Sequence, residues 1–332
     1  MYRVIDILKK IQKLLYAIVI ENRWHIILYI IMNLLIPKRG GGDLIYSYLD
    51  YFIQHKKFPS KHTFNFFIIH QKLSNSNFKL KEKTTDKYLA KKFLEKIQLK
   101  KYISPTIFYT DNFEKFLKFT LQKSHLKILE KEKTNFIVIK PTNGQGQIIR
   151  KQIKLRQSLR DILTKEEILK TKLWCKHNYY SISRDHCYKN LKTGFIIEPL
   201  IDNQTNIKDY KFHLYKSKLK VIQLDVDRHF NHRRNLYSDK FIKLNFSIGY
   251  KSSHKKYVKP KYLKKMIMVA NKIGKFFIYC RVDFYVKRDD NFFIGEITHH
   301  HGNGGEPFYD AKNKLVCDPK KEIEFSKFFI SN

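Results

Sequence analysis

The run Arg281-Val282-Asp283-Phe284-Tyr285-Val286-Lys287-Arg288-Asp289-Asp290-Asn291-Phe292-Phe293-Ile294-Gly295-Glu296-Ile297-Thr298 reads as two strands around a short polar turn. With Asp289-Asp290 as a two-residue turn between Arg288 and Asn291, antiparallel pairing sets Asp283 opposite Glu296 and Arg281 opposite Thr298. Directly opposed residues share a sheet face, so one surface carries all four. Two facing carboxylates repel unless a proton, an arginine or a cation lies between them. Oxygen donors of this kind suit magnesium. If repulsion dominates, removing one carboxylate leaves the metal-free chain as stable as before or slightly more so. The competing reading is an exposed strand edge with solvated charges, which the flanking Ile and Phe make awkward.

Working outward, the strands span 276–287 and 292–297, and residues 260–274 form the clearest helix. Leu263, Met266, Ile267, Ala270 and Ile273 fall on one face of it, with Pro near the start and Gly near the stop. Upstream, 195–201, 210–215 and 220–227 are three strand-like runs, an antiparallel meander. Phe136-Ile137-Val138-Ile139 is a buried strand ending on Lys140, and the loop Pro141 to Gln147 follows. Helices are expected at 84–100, capped by Thr84, Thr85 or Asp86, and at 112–125 after Asp111, with Ser104-Pro105 ending the first. Short helices interrupted at 59–65 fill 43–71. The fold class is α+β, divided into an N-terminal helical region at 1–55, a small lobe within 56–150 and a larger antiparallel-sheet lobe at 151–332.

A chain of 332 residues, 43% hydrophobic, buries a substantial core, which excludes disorder as the default. The net charge of +36 comes mostly from Lys scattered over the whole length rather than from one patch, so nucleic acid is not the expected partner; an anionic substrate or membrane surface is compatible. The four cysteines, Cys175, Cys187, Cys280 and Cys317, have no paired short spacing, which suits a reducing cytosol. Cys175-Lys176-His177 and His186-Cys187 do not match the spacers of structural zinc sites, and packing is the preferred reading. Residues 14–37 are apolar but cut by Glu21, Asn22 and Arg23, too short in each piece to cross a bilayer. They read as a buried helix pair, closed by Pro37 and the break Arg39-Gly40-Gly41-Gly42, or as an interfacial anchor at the inner face of the membrane.

Three further stretches carry chemistry. Lys140 at a strand end, followed by Gly144 and Gly146, supplies a cation and free backbone N–H groups near a phosphate. Glu198-Pro199-Leu200-Ile201 offers a backbone edge, and Asp209 and Lys211 point to one side of the next strand. Asp225-Val226-Asp227 matches the loose Asp-X-Asp pattern of many glycosyltransferases.

Taken in order, Pro59 to Asn65, Asp86-Lys87-Tyr88, Phe136 to Gly146, Ile197 to Leu200, Asp209 to Phe212, Asp227-Arg228, Arg281 to Tyr285 and Gly295 to Thr298 resemble the TupA-like ATP-grasp family, over about residues 56–312. That family is associated with teichuronopeptide and other surface-polysaccharide biosynthesis. The resemblance implies ATP held between two α+β lobes. Lys87 and Lys140 are then the phosphate-binding lysines, Gly144 and Gly146 the mobile phosphate-covering loop, and Glu198, Pro199 and Leu200 the adenine hinge. Asp209 and Lys211 lie along ribose and phosphates, and Asp283 and Glu296 hold magnesium. Arg281 steadies the transferred phosphoryl group or acyl intermediate, with Lys211 and Arg228 as further catalytic candidates.

Thr298 stands where the wider superfamily usually has a metal-binding Asn, and His299-His300-His301 follows where the site would open towards substrate, either to orient it or as a polar loop. The first 40 residues lie outside the resemblance. The implied activity is that of a ligase that phosphorylates a carboxylate and transfers the acyl group to an amine, joining an amino acid to a uronic-acid-containing glycan or its precursor. The alternatives are a glycosyltransferase using Asp225 and Asp227, or a basic binding protein with no use for ATP.

Overall fold

The computed structural model describes residues 31–32, 35–36, 41–74, 76–144, 146–176, 179–201, 208–227, 231–287 and 291–331. Two antiparallel sheets organise them. The first consists of β1 (Phe108–Thr110), β2 (Phe136–Pro141), β3 (Ile149–Gln152) and β4 (Phe195–Pro199), in the order β1-β4-β2-β3. The second takes β5 (Lys208–Tyr215), β6 (Lys218–Val226), β7 (Arg233–Tyr237), β9 (Tyr279–Val286) and β10 (Phe292–Thr298), in the order β10-β9-β5-β6-β7. The short β8 (Ser247–Ile248) and β11 (Phe308–Tyr309) pair with each other.

Side chains alternate across a strand, and the second sheet uses both faces. Tyr210, Phe212, Leu214, Ile222, Leu224, Val282 and Phe284 project to one side and pack on Leu263, Met266, Val269, Ala270 and Ile273 of the helix Leu263–Gly274. Each fully buried Leu, Ile, Val, Phe or Met among them contributes roughly 1.5–3 kcal/mol over exposure. The intervening residues Asp209, Lys211, His213, Gln223, Asp225, Arg281 and Asp283 are buried too, on the opposite face. The helices Phe64–Leu73 and Pro319–Ile330 close one end of that face through Phe64, Ile68, Phe325 and Phe329, against Val221, Leu236 and Tyr279. A separate core around Phe116, Ile137, Ile139, Phe195, Ile197 and Trp174 holds the first sheet.

Several sequence expectations shift locally. Of the three caps offered for the helix expected at 84–100 the chain uses Asp86, extended (ψ 124) with Oδ1 accepting from Tyr88 N and Leu89 N at 2.9 Å; that helix is the shorter Lys87–Lys96, and a separate helix, Phe78–Thr85, precedes it. The helix expected at 112–125 is split into Phe113–Leu117, capped by Asn112, and Lys123–Lys131. The glycine run expected to break the chain supplies the first residues of a helix, Gly41–His55. Residues 14–30 and most of 31–40 lie outside the described ones.

Inside that N-terminal helix Asp43 is fully buried. It accepts from Arg184 Nη1 at 3.0 Å and Tyr180 Oη at 2.7 Å, and His186 Nε2 lies 3.0 Å away. An unpaired charge there would be costly, so this cluster ties the helix to the segment at 179–188.

Candidate active site

The hairpin pairs Asp283 with Glu296 and Arg281 with Thr298, as the sequence suggests, by a different route. Near the turn Val286 pairs with Phe292, and Lys287 N donates to Asn291 O at 2.8 Å. The connection is therefore 288–290, which lies outside the described residues, rather than Asp289-Asp290 alone. A β-bulge between Ile294 and Glu296 then shifts the register by one, restoring the expected partners. A side chain at Gly295 would meet the Tyr285 ring at 2.5 Å.

Across the next ladder Lys211 stands opposite Asp283, and Asp209 opposite Asp225. Lys211 Nζ lies 2.5 Å from Asp283 Oδ2 and 2.7 Å from Asp209 Oδ2. Arg281 donates to Asp283 through Nε at 2.7 Å and Nη2 at 2.8 Å, and Nη2 also reaches Glu296 Oε1 at 3.2 Å and Thr298 Oγ1 at 3.1 Å. The cation allowed for between the carboxylates is thus this arginine. The expectation that losing one carboxylate relieves repulsion is overturned for Asp283, whose removal would leave two buried cations short of charge. Burial alone would push the Asp283 carboxyl up; Arg281 and Lys211 overcome it and hold it well below the usual carboxylate range. Burial dominates at Asp209 and raises its carboxyl despite Lys211.

The first sheet supplies the facing wall. Glu198 on β4 is opposite Val138, and its carboxylate takes Lys140 Nζ at 2.6 Å and also pairs with Lys91. Burial opposes ionisation, yet the two ammonium groups bring the Glu198 carboxyl down to about 2. Lys87 opens the helix that carries Lys91, four residues apart and so on one face. Its ammonium donates to Gly144 O at 2.8 Å, while its backbone N donates to Thr142 O at 2.7 Å. Burial lowers its pKa, and both Glu296 of the second sheet and Lys140 of the first act on its charge. Lys87 therefore stands where the two walls meet.

Gly144 and Gly146 lie in the β2–β3 loop with φ of +103° and +66°. A Cβ on Gly144 would fall within 2.5 Å of Tyr179, whereas one on Gly146 meets nothing within 4 Å. Pro199 ends β4 opposite Ile137, and Leu200 N donates to Phe136 O at 2.9 Å before the chain passes to the second sheet.

Other expected residues are not brought together. Arg228 lies outside the described residues. Asp225 is buried against Arg234 Nε at 2.7 Å and Gln223 Nε2 at 3.0 Å, while Asp227 is exposed with φ +51° and Lys255 3.9 Å away, so the two carboxylates form no joint ligand set. Sequence reasoning missed Lys91, which its i, i+4 spacing from Lys87 could have signalled. It also missed Arg234 and Glu306, joined at 2.5 Å.

The histidine run forms a buried segment, with all three rings inside the fold. His299 Nε2 lies 2.7 Å from Thr84 Oγ1, and His300 Nδ1 lies 2.8 Å from Asp185 Oδ2. Arginine only donates, so His301 Nδ1 accepts from Arg281 Nη1 at 2.8 Å and Nε2–H faces Glu306 Oε2 at 2.8 Å.

Chemically, the site offers two carboxylates on one surface, the oxygen donors a magnesium ion takes: Glu296 is about a third exposed (36%), whereas both oxygens of the buried Asp283 are held by Arg281 and Lys211 and would share them with the ion. The ammonium groups of Lys87 and Lys140, beside a glycine-containing loop, fit a phosphate chain.

The family described as TupA-like ATPgrasp matches residues 68–317. Among solved structures, the L-amino acid ligase from Bacillus licheniformis is 13% identical, with a TM-score of 0.38, covering 68% of this chain and 44% of that one. The D-alanine-D-alanine ligase from Coxiella burnetii is 11% identical, with a TM-score of 0.38 over 73% and 52% of the two chains. The D-alanine–D-alanine ligase from Bacillus anthracis, complexed with ATP, is 14% identical, with a TM-score of 0.34 over 65% and 55%. The chain spans about half the length of these structures. Among curated proteins, none matches it.

Proposed function

The chain belongs to the TupA-like ATP-grasp family, and on that premise we propose that it is an ATP-dependent ligase that activates a carboxylate as an acyl phosphate and passes the acyl group to an amine. The observation that carries this reading is the convergence of Arg281, Asp283, Glu296 and Lys211 on one sheet face with Lys87, within electrostatic range of both Glu296 and Lys140.

In the first step a substrate carboxylate oxygen attacks the γ-phosphorus of ATP, a P–O bond breaks, and ADP leaves. In the second an amine attacks the acyl carbon, inorganic phosphate leaves, and the amine gives up a proton. Arg281 and Lys211 present fixed positive charge where negative charge develops, and their buried carboxylate partner keeps them oriented without reorganisation. Lys87 and Lys140 bind the phosphate chain, Gly144 and Gly146 cover it, and Glu198, Pro199 and Leu200, with Asp209, line the nucleoside. Arg228 is a further catalytic residue in this reading. Asp283 and Glu296 would hold magnesium, which supplies charge neutralisation on the transferring phosphate.

The family's association with surface polysaccharide points to a uronic-acid-containing glycan or precursor as the carboxylate and an amino acid as the amine. The net charge of +36 suits such an anion. The reaction would take place in the cytoplasm at the inner face of the membrane, with residues 1–40 as a peripheral contact. The test is magnesium-dependent ATP binding, followed by a search for carboxylates that stimulate ADP release. ADP formed without consumption of a sugar nucleotide supports the ligase; a protein that binds no ATP overturns it.

A further inference from the structure

Behind the ATP-facing surface, the described residues hold a second cluster of chemically competent side chains. Asp185, Cys187 and His300 are all buried, and one ligand atom from each lies within 4.8 Å of the others. Asp185 begins the turn His186–Tyr188, its Oδ1 accepting from Cys187 N at 2.9 Å, so two of the three groups are fixed by one short loop. His300 comes from the segment after β10, a separation of 115 residues from Asp185. Its Nδ1 lies 2.8 Å from Asp185 Oδ2 and 3.9 Å from Cys187 Sγ.

These distances can be set against a tetrahedral zinc-class ion. Metal–ligand lengths of roughly 2.0 Å to N and O and 2.3 Å to S place neighbouring N and O about 3.3 Å apart and N and S about 3.5 Å apart. The two edges that meet at His300 need only about half an ångström of side-chain adjustment to match them, and the Asp185–Cys187 edge lies within 4.8 Å. We propose that Asp185, Cys187 and His300 form a binding site for a zinc-class divalent ion, with water as the fourth donor.

Thiolate and imidazole donors select such an ion over magnesium or calcium, which separates this site from the carboxylates of β9 and β10. On loading, the Cys187 thiol releases its proton to solvent and the Nδ1 proton of a neutral His300 relocates to Nε2, a buried atom with no hydrogen-bond partner. The charges balance: carboxylate and thiolate together cancel the ion, so the nearby buried amine of Lys81 faces a neutral cluster. The bound ion would clamp the turn at 185–188 to the segment ending in His301, which contacts Arg281.

The experiment is a titration of the chelator-treated full chain with Co2+. One equivalent should produce a thiolate-to-cobalt charge-transfer band and the intense visible bands of tetrahedral cobalt, bleached by Zn2+. Cys187→Ser should abolish the charge-transfer band, and His300→Gln should weaken binding at least ~10-fold. Glu296→Gln should leave both unchanged. Absence of the band in the wild type, or its survival in Cys187→Ser, overturns the proposal. Should Cys187→Ser fail to fold, the double variant Cys175→Ser/Cys317→Ser decides. Those two cysteines are exposed and Cys280 is sealed in the apolar core, so a retained band leaves Cys187 as the sulfur donor and a lost band overturns the assignment.

Discussion

Lys211 Nζ lies 2.5 Å from Asp283 Oδ2, directly across the β5–β9 ladder, on an oxygen that Arg281 Nη2 also contacts at 2.8 Å. One buried carboxylate oxygen thus anchors two cations. Asp283→Asn keeps the shape and removes the charge, and we expect it to cost about 3 kcal/mol of stability, since breaking a buried pair strands its partners. Glu296 is partly exposed and touches Arg281 only at 3.2 Å, so Glu296→Gln should cost no more than about 1 kcal/mol. Both should lower ATP turnover by orders of magnitude if they hold magnesium. Thermal melting and turnover on the two variants separate the effects; equal melting of Asp283→Asn and wild type would contradict the anchoring role.

Lys87→Ala and Lys140→Ala should each weaken ATP by roughly 10- to 100-fold, the worth of a charge-assisted hydrogen bond, and adenosine much less. Calorimetric titration with both ligands checks this. Equal losses for ATP and adenosine would point to a misplaced site.

The two loop glycines should differ. Gly144→Ala meets both a positive φ of +103° and the Tyr179 ring, whereas Gly146→Ala meets only the backbone strain of φ +66°. The first should destabilise the chain and reduce ATP affinity. The second should cost about 1 kcal/mol in the loop itself. The melting temperatures should fall in that order, and the reverse order would show that Tyr179 yields readily.

Glu198 should make the fold sensitive to acid. Its carboxyl drops from an ordinary value of 4.5 to about 2 in the folded chain. Its pairing with Lys140 and Lys91 therefore stabilises fully above about pH 4.5 and is lost as the pH falls towards 2. The contribution is roughly 3 kcal/mol. Glu198→Gln should remove this part of the acid dependence, which denaturant melts between pH 6 and 3 would detect.

What the sequence made legible was local. Strand period fixes which residues within β9 and within β10 share a face, and the assumed turn at Asp289-Asp290 supplied the register that brought Arg281, Asp283, Glu296 and Thr298 together. The pairing came out right through two compensating departures, a longer connection at 288–290 and the bulge at Gly295. Period-two reasoning sees neither, because a turn and a bulge each change the count by one residue. The opposition of Lys211 and Asp283 spans 72 residues, and no spacing rule encodes a pairing between strands so far apart. The histidine run left two readings open, substrate orientation or a polar loop, and its burial is visible in neither, because three polar residues before a glycine carry no signal of what they pack against. Their partners Thr84, Asp185 and Glu306 are supplied only by the folded chain.

Asp43 reaches its buried partner Arg184 only after 141 further residues have been made. At roughly 5–20 residues per second, synthesis leaves the carboxylate waiting about 7–28 s. During that interval the buried pair cannot form, and Tyr46, whose hydroxyl donates to Ile182 O, waits as long for that bond, although the next helix, Phe64–Leu73, is made early. The first described helix to leave the ribosome thus completes its polar anchoring only after residue 184 has been made. A pause in translation between these two positions would lengthen the interval before that anchoring and raise demand for a chaperone.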